Sequence, residues 1–131
     1  VNDILAQIVE FNIVFNMDGK QIDTHIVYDD DRVWPLELSS GMERFVSSLA
    51  IRVGLMNVSN LPRSNFLAID EGWGTMDSEN LNSVAQLFQY LKTQFQFSFV
   101  VSHIESMRDF VDTLLEIKKV SGSSSVRFSR D

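Results

Sequence analysis

The chain of 131 residues contains no cysteine. Without thiols it cannot build a disulfide scaffold, a thiolate zinc site or a cysteine nucleophile, and it fits a reducing compartment. Histidine is scarce: His25 and His103 are the only two, which excludes a histidine-rich metal site. Two prolines and six glycines predict few loops and long elements. No apolar run approaches the roughly 20 residues that span a bilayer. The first residues, with Asp3 and no basic stretch, do not read as a secretory leader, so an intracellular protein without a membrane anchor is expected. Clustered basic charge is also missing. The eleven lysines and arginines are scattered and the net charge is −7. Alone, the chain should bind nucleic acid poorly, because non-specific affinity needs several phosphates neutralised together. The acids gather early: residues 1–37 hold eight against two bases. A solvated surface is the plain reading of that start.

Hydrophobic residues make up 44% and charged residues 22%, the balance of one globular domain. Residues 3–10 read as the end of a helix, with Ile4, Leu5, Ile8 and Val9 on one face. Residues 11–17 alternate as a half-buried strand, Asp18-Gly19 signals a hairpin turn, and residues 21–28 return. A short strand is expected over 32–34. Residues 42–56 carry apolar side chains at helical spacing, opened by a capping box of Ser40 and Glu43. Residues 65–69 form a continuously apolar strand, as expected when both faces of a sheet are covered. A helix over 78–95 with Asp77 as N-cap leads to a second apolar strand over 97–101. A short helix over 105–111 follows. Strands over 113–120 and 125–128 close a hairpin around the serine-rich turn at 121–125. A strand–helix–strand unit implies parallel pairing, and chemistry in such sheets gathers beyond the carboxyl ends of the strands.

Those ends carry Asp70-Glu71 and Ser102-His103. An apolar strand running into two acids is a costly place for charge unless it is used. Adjacent carboxylates diverge, so one can hold Mg²⁺ through water while the other orients or deprotonates an attacking water. A solvated strand end is the plainer alternative. His103 could meet a phosphate or the Glu71 carboxylate, or be structural. Ser39-Ser40-Gly41 opens the long helix, where free N–H groups and the helix dipole suit an anion, although a capping box alone explains the residues. Gly72-Trp73-Gly74 allows close backbone approach, or simply a tight connection with Trp73 over the core. No Gly-x-x-x-x-Gly-Lys-Ser/Thr occurs, so the chain lacks a phosphate-cradling loop and cannot complete an ATP site alone.

In this order the motifs resemble the C-terminal lobe of an ABC-type ATPase head, and within that superfamily the SbcC-type DNA double-strand-break repair ATPases, relatives of the SMC proteins. Leu38-Ser39-Ser40-Gly41 is similar to the signature Leu-Ser-Gly-Gly. Residues 66–71 resemble Walker B followed by the catalytic glutamate. Gly74-Thr75-Met76-Asp77 is similar to the D-loop, and Val100-Val101-Ser102-His103 to the switch-histidine segment. The run from Ile69 to Asp77 is the most specific, resembling the repair form Ile-Asp-Glu-Gly-Phe-Gly-Thr-Leu-Asp. The likeness covers residues 36–119 well and the acidic start more loosely. Ser40 departs from the pattern where glycine is usual, and Met42 where Gln or Glu is usual.

The resemblance implies an α/β fold: the C-terminal lobe of a split head, with parallel strands, crossover helices and a β-rich N-terminal segment, incomplete without the Walker A lobe. Residues 1–10 would end a coiled-coil helix, which the abrupt start without methionine fits, and residues 11–131 would form the lobe. It implies ATP and Mg²⁺, with Asp70 on the Mg²⁺ water shell, Glu71 polarising the attacking water and His103 sensing the γ-phosphate. Ser39, Ser40 and Gly41 would reach ATP held by a second head, and Asp77 would bridge the two sites. Implied partners are the N-terminal Walker A lobe of the same protein, a second ATPase head in a homodimer, an SbcD-type nuclease and DNA, in the cytoplasm, nucleoid or nucleus. An SMC-like chromosome-organising lobe and a non-hydrolysing nucleotide-gated module are the alternatives. Isolated, the lobe should expose apolar surface on the sheet edge that its other half covers.

Overall fold

The computed structural model describes residues 1–29, 31–71, 73 and 81–130. In chain order it holds α1 (Asn2–Leu5), β1 (Phe11–Asp18), β2 (Gln21–Tyr28), β3 (Val33–Pro35) and a 3-10 turn at Leu36–Leu38. Then come α2 (Gly41–Val58), β4 (Phe66–Asp70), α3 (Leu81–Gln94) and β5 (Phe97–Val101). A 3-10 helix at Glu105–Phe110 leads to β6 (Thr113–Val120) and β7 (Ser123–Arg130). β1, β2 and β3 form an antiparallel sheet, β4 and β5 a parallel pair, and β6 and β7 an antiparallel hairpin.

The helix expected over 3–10 is shorter. α1 spans one turn, and the chain then turns through bonds from Gln7 N to Ile4 O and from Ile8 N to Leu5 O. Those i to i−3 bonds tighten the backbone and redirect it into β1. Ile4, Leu5 and Ile8 are nevertheless buried. α1 also lies close against α2: a Cβ added at Gly54 would stand 3.0 Å from Val1 Cγ2. Asn2 ties the helix to β1. Its side-chain amide donates to Ile13 O at 3.0 Å and accepts from Ile13 N at 2.9 Å. β1 is an edge strand, so Asn2 satisfies backbone groups that another strand would otherwise claim.

The first hairpin turns one residue later than the Asp18-Gly19 signal suggests. Asp18 still pairs with Gln21, and Gly19-Lys20 forms the two-residue loop, with Gly19 at φ 61°. The last hairpin uses Ser121-Gly122 alone. Both have positive φ, 50° and 86°, the requirement of a turn that follows the twist of its strands. Ser123 to Ser125 therefore pair with Val120 to Lys118 instead of looping, which lengthens the strand expected over 125–128.

α2 buries Met42, Val46, Leu49, Ala50 and Val53 along one stripe, and α3 buries Val84, Leu87, Phe88 and Leu91. These two stripes, α1, Phe11, Ile13, Ile26, Ile69, Trp73 and Met107 belong to one core. The expectation that both faces of the apolar strands are covered fails in this chain. Leu67 and Ile69 face inward, whereas Phe66 and Ala68 are exposed. In register, Phe66 lies beside Phe97 and Ala68 beside Phe99, so the outer face of the pair is apolar and open. The closing hairpin also leaves Ile117, Val126 and Phe128 exposed. These two open apolar surfaces agree with a lobe whose other half lies elsewhere.

Candidate functional site

β4 and β5 run parallel with Asp70 opposite Val101. The Glu71 N–H extends the ladder by one bond, to Val101 O at 3.1 Å. There the backbone leaves the strand: Glu71 has φ 59°, a left-handed conformation costing a non-glycine residue about 1 kcal/mol or more. Its carboxylate meets His103 Nδ1, at 3.3 Å from Oε1 and 3.2 Å from Oε2. The two side chains are 52% and 76% exposed, so solvent reaches both. Asp70 is exposed as well and belongs to the outer set with Phe66 and Ala68. The strand ends thus bring Asp70, Glu71 and His103 to one edge, with Asp70 on the side of the open apolar face. Among the described residues no group of three or more acidic or imidazole side chains could hold a metal unaided. Mg²⁺ commonly takes one or two carboxylates with water and phosphate oxygens, and the donors here fit that mode.

The second constellation opens α2. Pro35 ends β3, the turn Leu36–Leu38 follows, and Ser40 caps the helix. Glu43 N donates to Ser40 Oγ at 3.3 Å, and Ser40 N donates to Glu43 Oε2 at 2.6 Å, which completes the expected capping box. Ser39 is buried and its hydroxyl is aimed inward, donating to Pro35 O at 3.5 Å. Ser40 is exposed. No hydrogen bond or ion pair joins Ser39, Ser40 or Gly41 to Asp70, Glu71 or His103 among the described residues. Asp77, expected as D-loop residue and N-cap, lies outside the described residues.

Two features lie beyond the sequence motifs. The first is the Tyr28 hydroxyl, which donates to Glu43 Oε1 at 2.5 Å. Burial, and then the bond to Glu43, push the Tyr28 phenol from 10.0 up to about 12. Burial alone would raise the Glu43 carboxyl, but the bonds from Tyr28 and Ser40 outweigh it and hold it below its usual range. Nothing local announces this pair, since fifteen residues separate its members. The second is an aromatic row. Trp73 is fully buried, with ring centroids 4.7 Å from Phe45 and 5.4 Å from Phe88, and Phe88 stands 6.1 Å from Phe110. The row links α2, Trp73, α3 and the 3-10 helix after His103. Helical spacing marks Phe45 and Phe88 as core, but not as neighbours of Trp73.

No family model matches the chain. It is 36% identical over 142 residues to "Uncharacterized protein R555" of Acanthamoeba polyphaga mimivirus, across 96% of this chain and 10% of that protein. It is 29% identical over 119 residues to the SbcC component of the SbcCD nuclease of Staphylococcus aureus, across 88% of this chain and 12% of that protein. The chain therefore spans about a tenth of the length of these relatives. The SMC head domain of Thermotoga maritima superimposes with a TM-score of 0.69 at 22% identity, covering 99% of this chain and 46% of that one. The chain thus matches less than half of that head domain. Sequence kinship to an SbcC protein and the fold of an SMC head converge on one assignment: the chain is a C-terminal lobe of an SbcC/SMC-like ABC ATPase head.

Proposed function

We propose that this lobe is half of an ATP-hydrolysing head that closes on ATP with a second head and regulates a partner nuclease at DNA ends inside the cell. The observation that carries the reading is the Glu71 carboxylate held at 3.2 Å from His103, beyond the carboxyl ends of two parallel strands. There Glu71 would polarise the attacking water, and His103, bonded to that carboxylate, would sense the γ-phosphate. Asp70, beside the open face, would hold Mg²⁺ through its water shell. The metal would supply charge neutralisation on the phosphate oxygens. The Walker A lobe of the same protein covers the outer face of β4 and β5 and brings the nucleotide to Asp70. Ser39, Ser40 and Gly41 contact ATP held by the opposite head. Among the described residues no hydrogen bond or ion pair joins them to Glu71 or His103, which is consistent with a role in trans. Residues 1–10 end the coiled coil, and Asp77 bridges the two sites.

The test is ATP hydrolysis by the complete two-lobed protein and its Glu71→Gln variant. Removing a general base typically costs about a hundredfold to ten-thousandfold in rate. Turnover in the parent and its loss in Glu71→Gln, with ATP binding retained, supports the reading. A parent that binds ATP and never turns it over makes the head a nucleotide-gated clamp. Ser40 in place of glycine and the inward Ser39 hydroxyl favour that second reading. The SMC-type fold also allows a chromosome-organising head. Nuclease stimulation at DNA ends by the complete protein separates it from the repair reading.

A further inference from the structure

Glu43 is bonded on both sides. One carboxylate oxygen accepts from Ser40 N at 2.6 Å, and the other accepts from the Tyr28 hydroxyl at 2.5 Å. The first bond belongs to the capping box that shapes Ser39-Ser40-Gly41. The second reaches the far end of β2. A capping-box glutamate on a surface helix ordinarily keeps its outer oxygen in water. Here that oxygen is fixed by a phenol, and the phenol is itself fixed. Its ring packs 5.6 Å from Phe11 and 5.4 Å from Trp34, with the Arg32 guanidinium 4.9 Å from its centroid. Tyr28 also pairs directly with Phe11 in the ladder. Phe11 is the first residue of β1, where the chain arrives from α1.

We propose that Tyr28 is a positioning residue: acting through Glu43, it holds the Ser39-Ser40-Gly41 turn in the geometry that meets nucleotide on the opposite head. The inference rests on the head reading above and adds a residue to it. Bonds to a charged acceptor are the strong class in proteins, and this one stiffens a carboxylate that would otherwise sample several rotamers. With Tyr28 in place, a shift of the first hairpin relative to α2 is felt at Ser40 through two hydrogen bonds. Without it, the cap remains but its outer anchor is lost.

The experiment uses the complete two-lobed protein as parent, Tyr28→Phe, Glu43→Ala and the double variant. Tyr28→Phe removes one oxygen and keeps the ring in its aromatic packing. Three quantities are read: ATP binding by the monomeric head at low protein concentration, the ATP concentration for half-maximal dimerisation, and KM against kcat. Loss of a bond to a charged acceptor predicts a shift of roughly tenfold to a hundredfold. Tyr28→Phe should raise the half-maximal ATP concentration and KM by that factor. Monomer ATP binding should be unchanged and kcat should stay within about twofold. The double variant should be no worse than Glu43→Ala, because Tyr28 acts through Glu43. A parent that dimerises on ATP and a Tyr28→Phe variant that dimerises identically would overturn the inference and leave the head reading standing. Weakened monomer ATP binding, a loss confined to kcat, or additive effects in the double variant would also overturn it, since each shows a different role for Tyr28. A parent that never dimerises on ATP would remove the head reading, and this inference with it.

Discussion

Trp73 lies two residues beyond Glu71, and its indole packs with a centroid distance of 4.7 Å against Phe45, one turn into the helix that starts at the signature segment. Trp73 is thereby packed against the helix that Ser40 caps. Full burial makes Trp73 a large share of the local core. Its replacement by alanine should cost about 3–5 kcal/mol, seen as a lower urea midpoint. Trp73→Phe should cost less than Trp73→Ala, because it leaves a smaller cavity. The smaller ring loses contacts, but the change also deletes an indole N–H that is buried and without a partner among the described residues.

Ser47 makes the same argument with the opposite sign. It lies on the inner face of α2, fully buried, and its hydroxyl finds no partner among the described residues. A buried unpaired hydroxyl costs about 1–3 kcal/mol, and alanine is the better helix former. Ser47→Ala should therefore stabilise the chain by about 1 kcal/mol. Equilibrium urea unfolding of the two proteins checks it, and a destabilised Ser47→Ala would mean that the hydroxyl has a partner worth keeping.

The Tyr28–Glu43 pair gives stability a defined dependence on pH. Burial opposes the Glu43 charge, but the bonds from Tyr28 and Ser40 prevail, so folding favours the carboxylate. That contribution is complete above the ordinary value of 4.5 and fades as pH falls through the lower folded value. Tyr28 runs the other way. Its phenol is raised from 10.0 to about 12, chiefly by burial and then by the bond to Glu43, with Glu10 adding to the rise and Arg32 opposing it. Its contribution is complete below pH 10 and is lost between pH 10 and about pH 12. Urea midpoints of parent and Tyr28→Phe across that window should show a flatter alkaline decline in the variant. A residual slope should remain, because burial also raises Tyr90.

Much of this arrangement is legible in the sequence where the cause is local. The stripes of α2 and α3, the capping box at Ser40 and the parallel placement of Glu71 beside His103 follow from periodicity, spacing and the strand–helix–strand order. Turns are legible to within a residue, since Asp18-Gly19 marks the right corner but backbone pairing selects Gly19-Lys20. The inward Ser39 hydroxyl depends on Pro35 O, whose position is set by how β3 ends. The Tyr28 bond depends on how β2 lies against α2, which no short-range pattern encodes. The open face of β4 and β5 reads as covered in the sequence because an apolar strand looks the same whichever chain segment covers it.

That open face yields the last prediction. Phe66 and Phe97 are each 59% exposed and adjacent in register, with Phe99 one pair further on. Contiguous exposed aromatic surface of this kind drives self-association unless another surface covers it. Produced alone, the lobe should associate in a concentration-dependent way, and replacing Phe66 and Phe97 together with serine should reduce that association. The same double variant in the two-lobed protein should weaken the contact between lobes and lower stability, because apolar area buried there contributes about 25 cal/mol per Å². Sedimentation of the isolated lobe and urea unfolding of the two-lobed protein read the two effects separately. Improved solubility without any loss in the two-lobed protein would mean that the Walker A lobe docks elsewhere.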